Sequence, residues 1–467
     1  MPPSFANPDA LEAFALEKLV ATRLPGLVLI LLEGGEVVHR RGLGFADLVR
    51  RRPPGPDTLF GIGSITKVFT ALAVMQLCEQ GKLDLDDPVS AHLGSDLRAR
   101  GEAIQIRHLL SHSSGIPALG LSESKMSRRW SMDGYPVSSA ADMLTFLTGS
   151  DDWVQAVPGE RWAYLNEGYV LLGAIIEAAS GVDYRTYIRK ALLEPLGMDR
   201  SHWERAAVER EADRATPYML DRDNRLFIGS NLYSEIPAAG GLVCSPEDLA
   251  KLALMLLNGG RSATGEQIVK ETSLQTMRRP VVTLNAEETD LFPTPAGGRS
   301  RELFGLGLYL QENFLGVDVV GHGGGVMGST GYLAVVPERG LGVVLQTNGH
   351  GYPMHQLSLA ALAHGLGFDL EQLPFVRLDR LLNRLEGAYA SFRNTIEAKV
   401  RRRGDNLELT IWMFNEDRCV WLTPEVIQEG RARFTTFSGG RRMPVEFVFS
   451  PRGIDLLHER YAFRKID

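Results

Sequence analysis

The feature that most constrains the fold of this sequence is the closely spaced run of strand patterns after residue 376. About eight short segments there alternate apolar and polar residues, which is typical of β-strands with one buried face. Turn-forming clusters, such as Gly404-Asp405-Asn406 and Ser438-Gly439-Gly440, separate many of them. Short strands at this spacing predict a small antiparallel β-barrel. We therefore expect a C-terminal domain over residues 376–467, after a main domain over residues 1–375.

The main domain has strand patterns near both of its ends and helical patterns between them. Residues 27–33 and 36–41 flank a Gly-Gly pair, which is the signal of a tight hairpin turn. Residues 331–336 and 342–346 again have strand patterns, and the segments between repeat apolar residues at helical spacing. This order predicts an α/β fold of the α+β kind. An antiparallel sheet built from both ends would be flanked by helices, with a helical insertion at about residues 80–300.

Composition and charge argue against several classes of function. The net charge of −7 gives no basic face for a nucleic acid, so we expect no nucleic-acid partner. The three cysteines lie far apart without ligand spacing, which predicts no metal site, and we expect no cofactor. The N-terminus lacks the pattern of a secretory signal, and the early apolar run is much shorter than the roughly 20 residues of a membrane span. We expect a cytoplasmic protein with no membrane partner, while a leader missing from the sequence stays the alternative.

Ser64-Ile65-Thr66-Lys67 opens a long helical pattern in the main domain. A serine hydroxyl is a poor nucleophile at neutral pH and needs a base within hydrogen-bond reach. Because residues three apart lie on one face of a helix, the amino group of Lys67 can lie beside the hydroxyl of Ser64. Burial favours the neutral amine, which can accept a proton. A second S-x-x-K pattern begins at Ser122 in a polar segment, so the structural alternative is that Ser64 caps a helix beside a solvated lysine.

Tyr164-Leu165-Asn166 lies just before a helical pattern over residues 167–180. A phenol can carry a proton between a serine hydroxyl and a leaving group. The side-chain amide of Asn166 can hydrogen-bond both to Lys67 and to a substrate. A buried tyrosine followed by a helix-capping asparagine is the structural alternative for this motif.

His322-Gly323-Gly324-Gly325 ends a strand pattern further along the chain. Glycines let a substrate backbone approach an edge strand closely, and a main-chain N–H group there can point at an oxyanion. The structural alternative is a tight turn with a structural histidine. Each motif alone is weak evidence, but the ordered set predicts the machinery of an acyl-enzyme.

The three motifs together resemble those of class C β-lactamase-like and penicillin-binding-protein-like serine hydrolases, over about residues 15–370. Five further segments match this family: Phe60-Gly61-Ile62-Gly63, Leu109-Leu110-Ser111-His112-Ser113-Ser114-Gly115-Ile116, Pro158-Gly159-Glu160, Ala239-Gly240-Gly241-Leu242 and Gly331-Tyr332. The resemblance implies a β-lactamase/transpeptidase-like fold. It also implies that His112, which lies in the second of these segments, is structural.

By this resemblance, Ser64 would be the acylated nucleophile, Lys67 its activating partner and Tyr164 the general base and acid. Asn166 would orient the substrate, and His322 would occupy the first position of the third motif. The backbone N–H groups of Ser64 and Gly325 would form the oxyanion hole, with Gly323 and Gly324 beside them in the substrate-binding strand.

His322 departs from the pattern of β-lactamases and D-Ala-D-Ala peptidases, which usually have lysine at this position. The charge of that lysine helps to hold a substrate carboxylate, whereas a histidine is mostly neutral at pH 7. A histidine at this position is similar to the pattern of D-aminopeptidases and D-amino-acid amidases. We therefore expect a peptidase or amidase of the D-aminopeptidase type, whose substrate is a small-molecule amide or a peptide.

Other functions stay open at this point. The same machinery would serve a carboxylesterase or a β-lactamase-like hydrolase, and it would serve a penicillin-binding-type thioesterase or peptide cyclase. A non-catalytic penicilloyl-binding protein is a further alternative. The C-terminal domain resembles the lipocalin-like barrel appended to some of these peptidases, on the evidence of Gly387-Ala388-Tyr389 and the strand rhythm. It would shape the substrate entrance or make the contact of a homo-oligomer.

Overall fold

The computed structural model describes residues 4–5, 7–121, 139–223, 225–229, 236–284, 291–292, 295–413 and 416–466. The second S-x-x-K pattern, which begins at Ser122, lies outside these residues. The chain divides into two compact units, of which the first is Met1–Ala286 with Arg299–Gly367 and the second is Glu287–Gly298 with Phe368–Asp467. In the part of the chain that is described, no helix is both long enough and apolar enough to cross a membrane.

The first unit is built on an antiparallel sheet of eight strands in the order β10-β11-β12-β13-β14-β15-β1-β2. The strands of this unit are β1 (Gly26–Glu33), β2 (Glu36–Gly44), β3 (Phe60–Gly61), β4 (Arg98–Ala99), β5 (Glu102–Ala103), β6 (Ser201–His202), β7 (Tyr218–Leu220), β8 (Leu226–Ile228), β9 (Val243–Cys244), β10 (Val282–Thr283), β11 (Arg301–Phe304), β12 (Tyr309–Phe314), β13 (Val317–Val326), β14 (Ser329–Val336) and β15 (Leu341–Thr347). Strand β1 pairs with β15 from Leu27 opposite Thr347 to Glu33 opposite Leu341, so both ends of the unit meet in one sheet. The predicted antiparallel sheet is confirmed.

Helices flank this sheet, and most of the described helices of the unit lie between β2 and β10. The α-helices of the first unit are Asp9–Thr22, Thr66–Glu79, Val89–Leu93, Ile106–Leu110, Ala140–Thr148, Asn166–Ser180, Tyr184–Ile188, Arg205–Arg210, Pro237–Gly240, Pro246–Leu257, Glu271–Met277 and Met354–Gly365. The helix Thr66–Glu79 is apolar on nearly all sides and is buried along most of its length. A helix that is apolar on nearly all sides is stable only inside a core. This helix therefore anchors the segment that contains Ser64 and Lys67.

The helix predicted to start at Ser64 starts at Thr66, after a 3₁₀ turn over Gly63–Ile65. Gly63 has a φ of 51°, and a Cβ atom at this position would lie 2.5 Å from the backbone nitrogen of Gly325. Only glycine adopts this conformation in such a small space without strain. The turn therefore brings Ser64 directly against strand β13.

The glycine run of the third motif forms the end of strand β13 apart from Val326, as predicted, so the structural alternative of a tight turn is wrong. Strand β13 continues to Val326 and pairs with β14 as far as Ser329. Among the described residues, β12 pairs with β13 only up to Gly321, which leaves the following segment of that edge without a strand partner. A Cβ atom at Gly324 would lie 1.9 Å from the carbonyl oxygen of Ile62, so the residues before Ser64 lie close against β13. Glycine is unfavourable in strands, which is why the pattern suggested an end.

The second unit contains a closed barrel of eight antiparallel strands, as predicted. Its strands are β16 (Gly387–Ala390), β17 (Glu397–Arg403), β18 (Asn406–Met413), β19 (Glu416–Gln428), β20 (Arg431–Ser438), β21 (Arg441–Ser450), β22 (Gly453–His458) and β23 (Tyr461–Lys465). Tyr389, Phe434 and Phe447 pack together in its core. The helix Pro374–Leu385 precedes the barrel, and the sequence analysis did not predict it.

Candidate active site

The side chain of Lys67 lies beside the hydroxyl group of Ser64 and is fully buried. Its Nζ atom donates hydrogen bonds to Ser64 Oγ at 2.9 Å, to Asn166 Oδ1 at 2.8 Å and to the carbonyl oxygen of Ala239 at 2.5 Å. All three of these partners are acceptors, as suits the N–H groups of an ammonium ion. The structural alternative of a solvated lysine is therefore wrong, and the amide of Asn166 orients the amine toward Ser64.

Tyr164 lies against the same amine. The Nζ atom of Lys67 is 4.9 Å from the centroid of the Tyr164 ring, within the range of a cation–π contact. The ring of Tyr164 lies 6.5 Å from that of His322, measured between centroids. The structure therefore brings together all three motifs, although they lie far apart in the sequence.

His112 packs against the segment that contains Tyr164 and hydrogen-bonds to its backbone. Its Nδ1 atom accepts a hydrogen bond from the backbone N–H of Leu165 at 3.0 Å, and its carbonyl oxygen accepts one from Ala163 at 2.7 Å. The two rings of His112 and Tyr164 are in contact, with centroids 4.1 Å apart. Burial and the charge of Lys67 hold the pKa of His112 well below its ordinary value. A neutral imidazole whose Nδ1 atom holds the backbone before the helix fits the structural role that the resemblance implies.

His322 is neutral in the folded protein. Burial and the nearby charge of Lys67 lower the pKa of its imidazole to about 3. Its Nδ1 atom lies 2.6 Å from the carbonyl oxygen of Gly323, which can only accept, so Nδ1 carries the proton. The third motif therefore provides no fixed positive charge at neutral pH, and the Nε2 atom keeps its lone pair.

Ser64 and Tyr164 line one cavity of about 420 Å³ together with the third motif. The four residues His322 to Gly325 form part of its wall, and the rings of Tyr332 and His355 form another part, in contact at 5.1 Å between centroids. Ser64 and Gly325 both line this cavity, so the two residues predicted to form the oxyanion hole border the same space. The predicted substrate-binding residues thus share one site.

Several residues of the cavity carry no sequence motif and were missed by the sequence analysis. Glu302, Tyr309 and Gln311 line it from strands β11 and β12. The ring of Tyr309 lies 5.1 Å from that of His322 between centroids, and 4.7 Å from that of Phe304. Only the pairing of β11, β12 and β13 places these side chains beside the third motif, and no local pattern encodes that pairing. In the described ranges, no cluster of three or more His, Cys, Asp or Glu side chains is arranged to hold a metal ion.

Comparison with known proteins identifies the family to which this chain is similar. The family model described as Beta-lactamase matches residues 13–366, and the model described as Pab87 octamerisation domain matches residues 370–464. The octameric penicillin-binding protein homologue from Pyrococcus abyssi is 39% identical with a TM-score of 0.88, over 98% of this chain and 99% of that one. The D-stereospecific amidohydrolase from Streptomyces sp. is 25% identical with a TM-score of 0.62, over 77% of this chain and 99% of that one. Penicillin-binding protein 4* of Bacillus subtilis (strain 168) is 27% identical over 357 residues, which are 73% of either chain.

The matched Beta-lactamase segment contains all three motifs, and the structure joins them around one cavity. The resemblance that the sequence suggested is therefore confirmed. The chain belongs to the Beta-lactamase family, and it is a serine hydrolase of the penicillin-binding-protein-like kind.

Proposed function

We propose that this protein is an amidase or peptidase of the D-aminopeptidase type that acylates Ser64 with the acyl part of its substrate. The observation that carries this proposal is the 2.9 Å contact of Lys67 Nζ with Ser64 Oγ, in a cavity whose third motif presents a neutral His322. A neutral group cannot attract a substrate carboxylate as a lysine would. The similarity to a D-stereospecific amidohydrolase supports the same choice of substrate.

Acylation begins when Ser64 Oγ attacks the substrate carbonyl carbon. The proton of Oγ passes to the phenolate oxygen of Tyr164, and the positive charge of the neighbouring Lys67 ammonium group favours this anionic form of the phenol. The carbonyl oxygen becomes an oxyanion and accepts hydrogen bonds from the backbone N–H groups of Ser64 and Gly325. When the tetrahedral intermediate collapses, the C–N bond breaks and Tyr164 returns the proton to the departing amine.

Deacylation repeats these steps with water as the nucleophile. Water gives its proton to Tyr164, its oxygen bonds to the acyl carbon, and the Ser64 ester bond then breaks as Oγ takes the proton back. Asn166 keeps the Lys67 amine in place through its 2.8 Å hydrogen bond in both half-reactions. The substrate lies along the unpaired edge of β13, where Gly323 and Gly324 let its backbone approach.

A panel of D- and L-aminoacyl amides, p-nitrophenyl esters and a chromogenic cephalosporin tests this proposal. We expect the D-aminoacyl amides to be hydrolysed with the highest kcat/KM, because the third motif has neutral His322 in place of the lysine that holds a β-lactam carboxylate. Turnover is measured by release of the amine, of p-nitrophenolate and of the opened cephalosporin. A higher kcat/KM for esters than for matched amides would instead support the alternative that the protein is a carboxylesterase. Dominant turnover of the cephalosporin would contradict the proposed role of His322.

We further propose that the protein assembles as a homo-oligomer through its C-terminal barrel. The match of residues 370–464 to an octamerisation domain and the similarity to an octameric homologue support this. Light scattering coupled to size-exclusion chromatography measures the molar mass of the full chain. A multiple of the 51.4 kDa chain mass is expected, and a monomer at micromolar concentration would refute the assembly.

A further inference from the structure

Beyond the third motif, the cavity extends along the sheet to the carboxylate of Glu302. Glu302 on β11 pairs directly with Gln311 on β12, and Gln311 pairs with Val319 on β13. Directly opposed residues of antiparallel strands project from the same face of a sheet. Glu302, Gln311 and Val319 therefore form one row across three strands, and all three line the cavity that contains Ser64.

Glycines form the floor of the cavity between this row and the Ser64 end. Gly321, Gly323 and Gly325 occupy alternate positions of β13, on the same face as Val319. Tyr309 pairs with Gly321 and Tyr332 pairs with Gly323, so an aromatic residue lies beside two of these three glycines. A Cβ atom at Gly323 would lie 2.9 Å from the Tyr332 ring, so the missing side chain makes room there. A substrate can therefore extend from Ser64 toward Glu302.

Glu302 contributes an acidic side chain to the lining of this cavity, at the end away from Lys67. Neither lysine nor arginine is among the described residues that line it, and Glu302 is the one carboxylate among them. The imidazole of His355 is neutral, since burial lowers its pKa to about 4, and burial together with the charge of Glu302 raises the pKa of Tyr309 to about 12. With His322 also neutral, the described lining carries one negative charge.

Gln311 provides a second acceptor beside this carboxylate. Its Nε2 atom donates a hydrogen bond to Ser300 Oγ at 2.9 Å, so the Oε1 atom of the same amide points away from Ser300. The Oε1 atom is buried and has no donor among the described residues. A buried acceptor without a donor is costly unless a ligand supplies one. A cationic amine can donate a hydrogen bond to Gln311 Oε1 and lie beside the negative charge of Glu302, and aromatic rings beside it add attraction for a cation.

We propose that Glu302 and Gln311 form a subsite for a cationic amine of the substrate, held at a distance from the scissile bond. The chemical class is a peptide or amide with a lysine-like side chain. The α-ammonium group of the acylating residue is attached next to the scissile carbonyl, whereas the Glu302 row lies opposite Val319, near the start of β13 and away from Gly325. This inference rests on the proposed function, because Ser64 defines where the scissile bond lies.

Three dipeptide amides separate the two sources of such an amine: norleucyl-norleucine, lysyl-norleucine and norleucyl-lysine, in the stereochemical series that the wild type hydrolyses. Norleucine keeps the length of the lysine chain and removes only its charge. We expect kcat/KM for one of the two lysine dipeptides to exceed that of the neutral one by about tenfold, the scale of a charged hydrogen bond. The lysine position that gives the gain identifies whether the amine belongs to the acyl part or to the leaving group.

In Glu302→Gln the ratio of kcat/KM between that lysine dipeptide and the neutral dipeptide is expected to fall to about one. Gln311→Leu removes the second acceptor and should lower the same ratio. The subsite is therefore tested by two variants, so the test does not depend on the folding of Glu302→Gln alone. Glu312→Gln is the matched control, because Glu312 lies next to Gln311 on β12 but pairs with Arg301 and is not among the lining residues. Its ratio should equal that of the wild type.

Binding to the Ser64→Ala variant separates failure of the subsite from failure of the proposed function. Calorimetric titration with norleucyl-lysine and lysyl-norleucine amides needs no turnover and should again give about tenfold tighter binding than the neutral dipeptide. If no substrate is hydrolysed but this preference is found, the subsite stands and the proposed function fails. Hydrolysis with equal kcat/KM for all three dipeptides, or an unchanged ratio in Glu302→Gln, would overturn the subsite.

Discussion

Replacement of Ser64 by alanine is expected to abolish covalent labelling by a fluorophosphonate probe and to lower turnover by about 10⁴-fold or more. The alanine methyl group cannot form the acyl ester, and the Lys67 amine loses one of its three acceptors. Hydrogen bonds to Asn166 and Ala239 keep the amine in place, so the fold should survive the change. Intact-protein mass spectrometry measures labelling, and initial rates on the best amide measure turnover.

Ser122→Ala is the matched control, since Ser122 begins the other S-x-x-K pattern of the sequence. This variant should be labelled at the wild-type rate and keep its turnover. Labelling that persists in Ser64→Ala would place the nucleophile elsewhere. A wild-type protein that resists the probe and hydrolyses none of the panel would instead favour a silent penicilloyl-binding protein.

Replacement of Tyr164 by phenylalanine is expected to lower kcat by about 10²-fold or more, the scale of a lost general base. Phenylalanine keeps the ring contact with His112 and the position above the Lys67 amine, so packing changes little. Only the phenolic oxygen, which would carry the proton between Ser64 and the leaving group, is removed. Steady-state kinetics on an amide and on an ester of the same acyl group measure the loss. The amide should suffer more, because its leaving group needs the proton.

Tyr169→Phe serves as the structural comparison for this change. The hydroxyl group of Tyr169 donates to the carbonyl oxygen of Leu110 at 2.8 Å, and its ring also packs on His112. Losing this hydrogen bond should cost about 1 kcal/mol of unfolding free energy and leave kcat close to that of the wild type. Near-normal turnover in Tyr164→Phe, or an equal loss in both variants, would remove Tyr164 from the proton-transfer step.

The sequence predicts those parts of the site whose residues are neighbours along the chain. Ser64 and Lys67 are one helical turn apart, so helix geometry alone places the amine at the hydroxyl group, as the 2.9 Å contact confirms. Likewise, the position of Tyr164 just before the helix Asn166–Ser180 follows from the periodicity after it. The eight strands of the barrel were predicted because each alternates on its own and ends at a turn cluster.

The remaining features depend on pairing between distant segments, which no local pattern encodes. Glu302 and Gln311 reach the cavity only because β11, β12 and β13 pair in one register. The glycines of the third motif are unfavourable in a strand, yet β14 supplies their hydrogen bonds and keeps the strand extended to Val326. The sequence analysis did not predict the helix Pro374–Leu385, although Leu378, Leu382 and Leu385 recur at helical spacing.

The left-handed turn at Gly63 also limits how this protein can be stabilised by engineering. Glycine-to-alanine replacement is a common way to lower the entropy of an unfolded chain, and it succeeds where the backbone tolerates a side chain. At Gly63 the new methyl group would strike the backbone nitrogen of Gly325, at 2.5 Å, in a conformation that alanine resists. A mutant library aimed at higher thermal stability should therefore leave Gly63 unchanged. It can vary glycines such as Gly81 and Gly94, where no atom lies within 4 Å of an added Cβ atom. The residues introduced at these two positions must accept a positive φ.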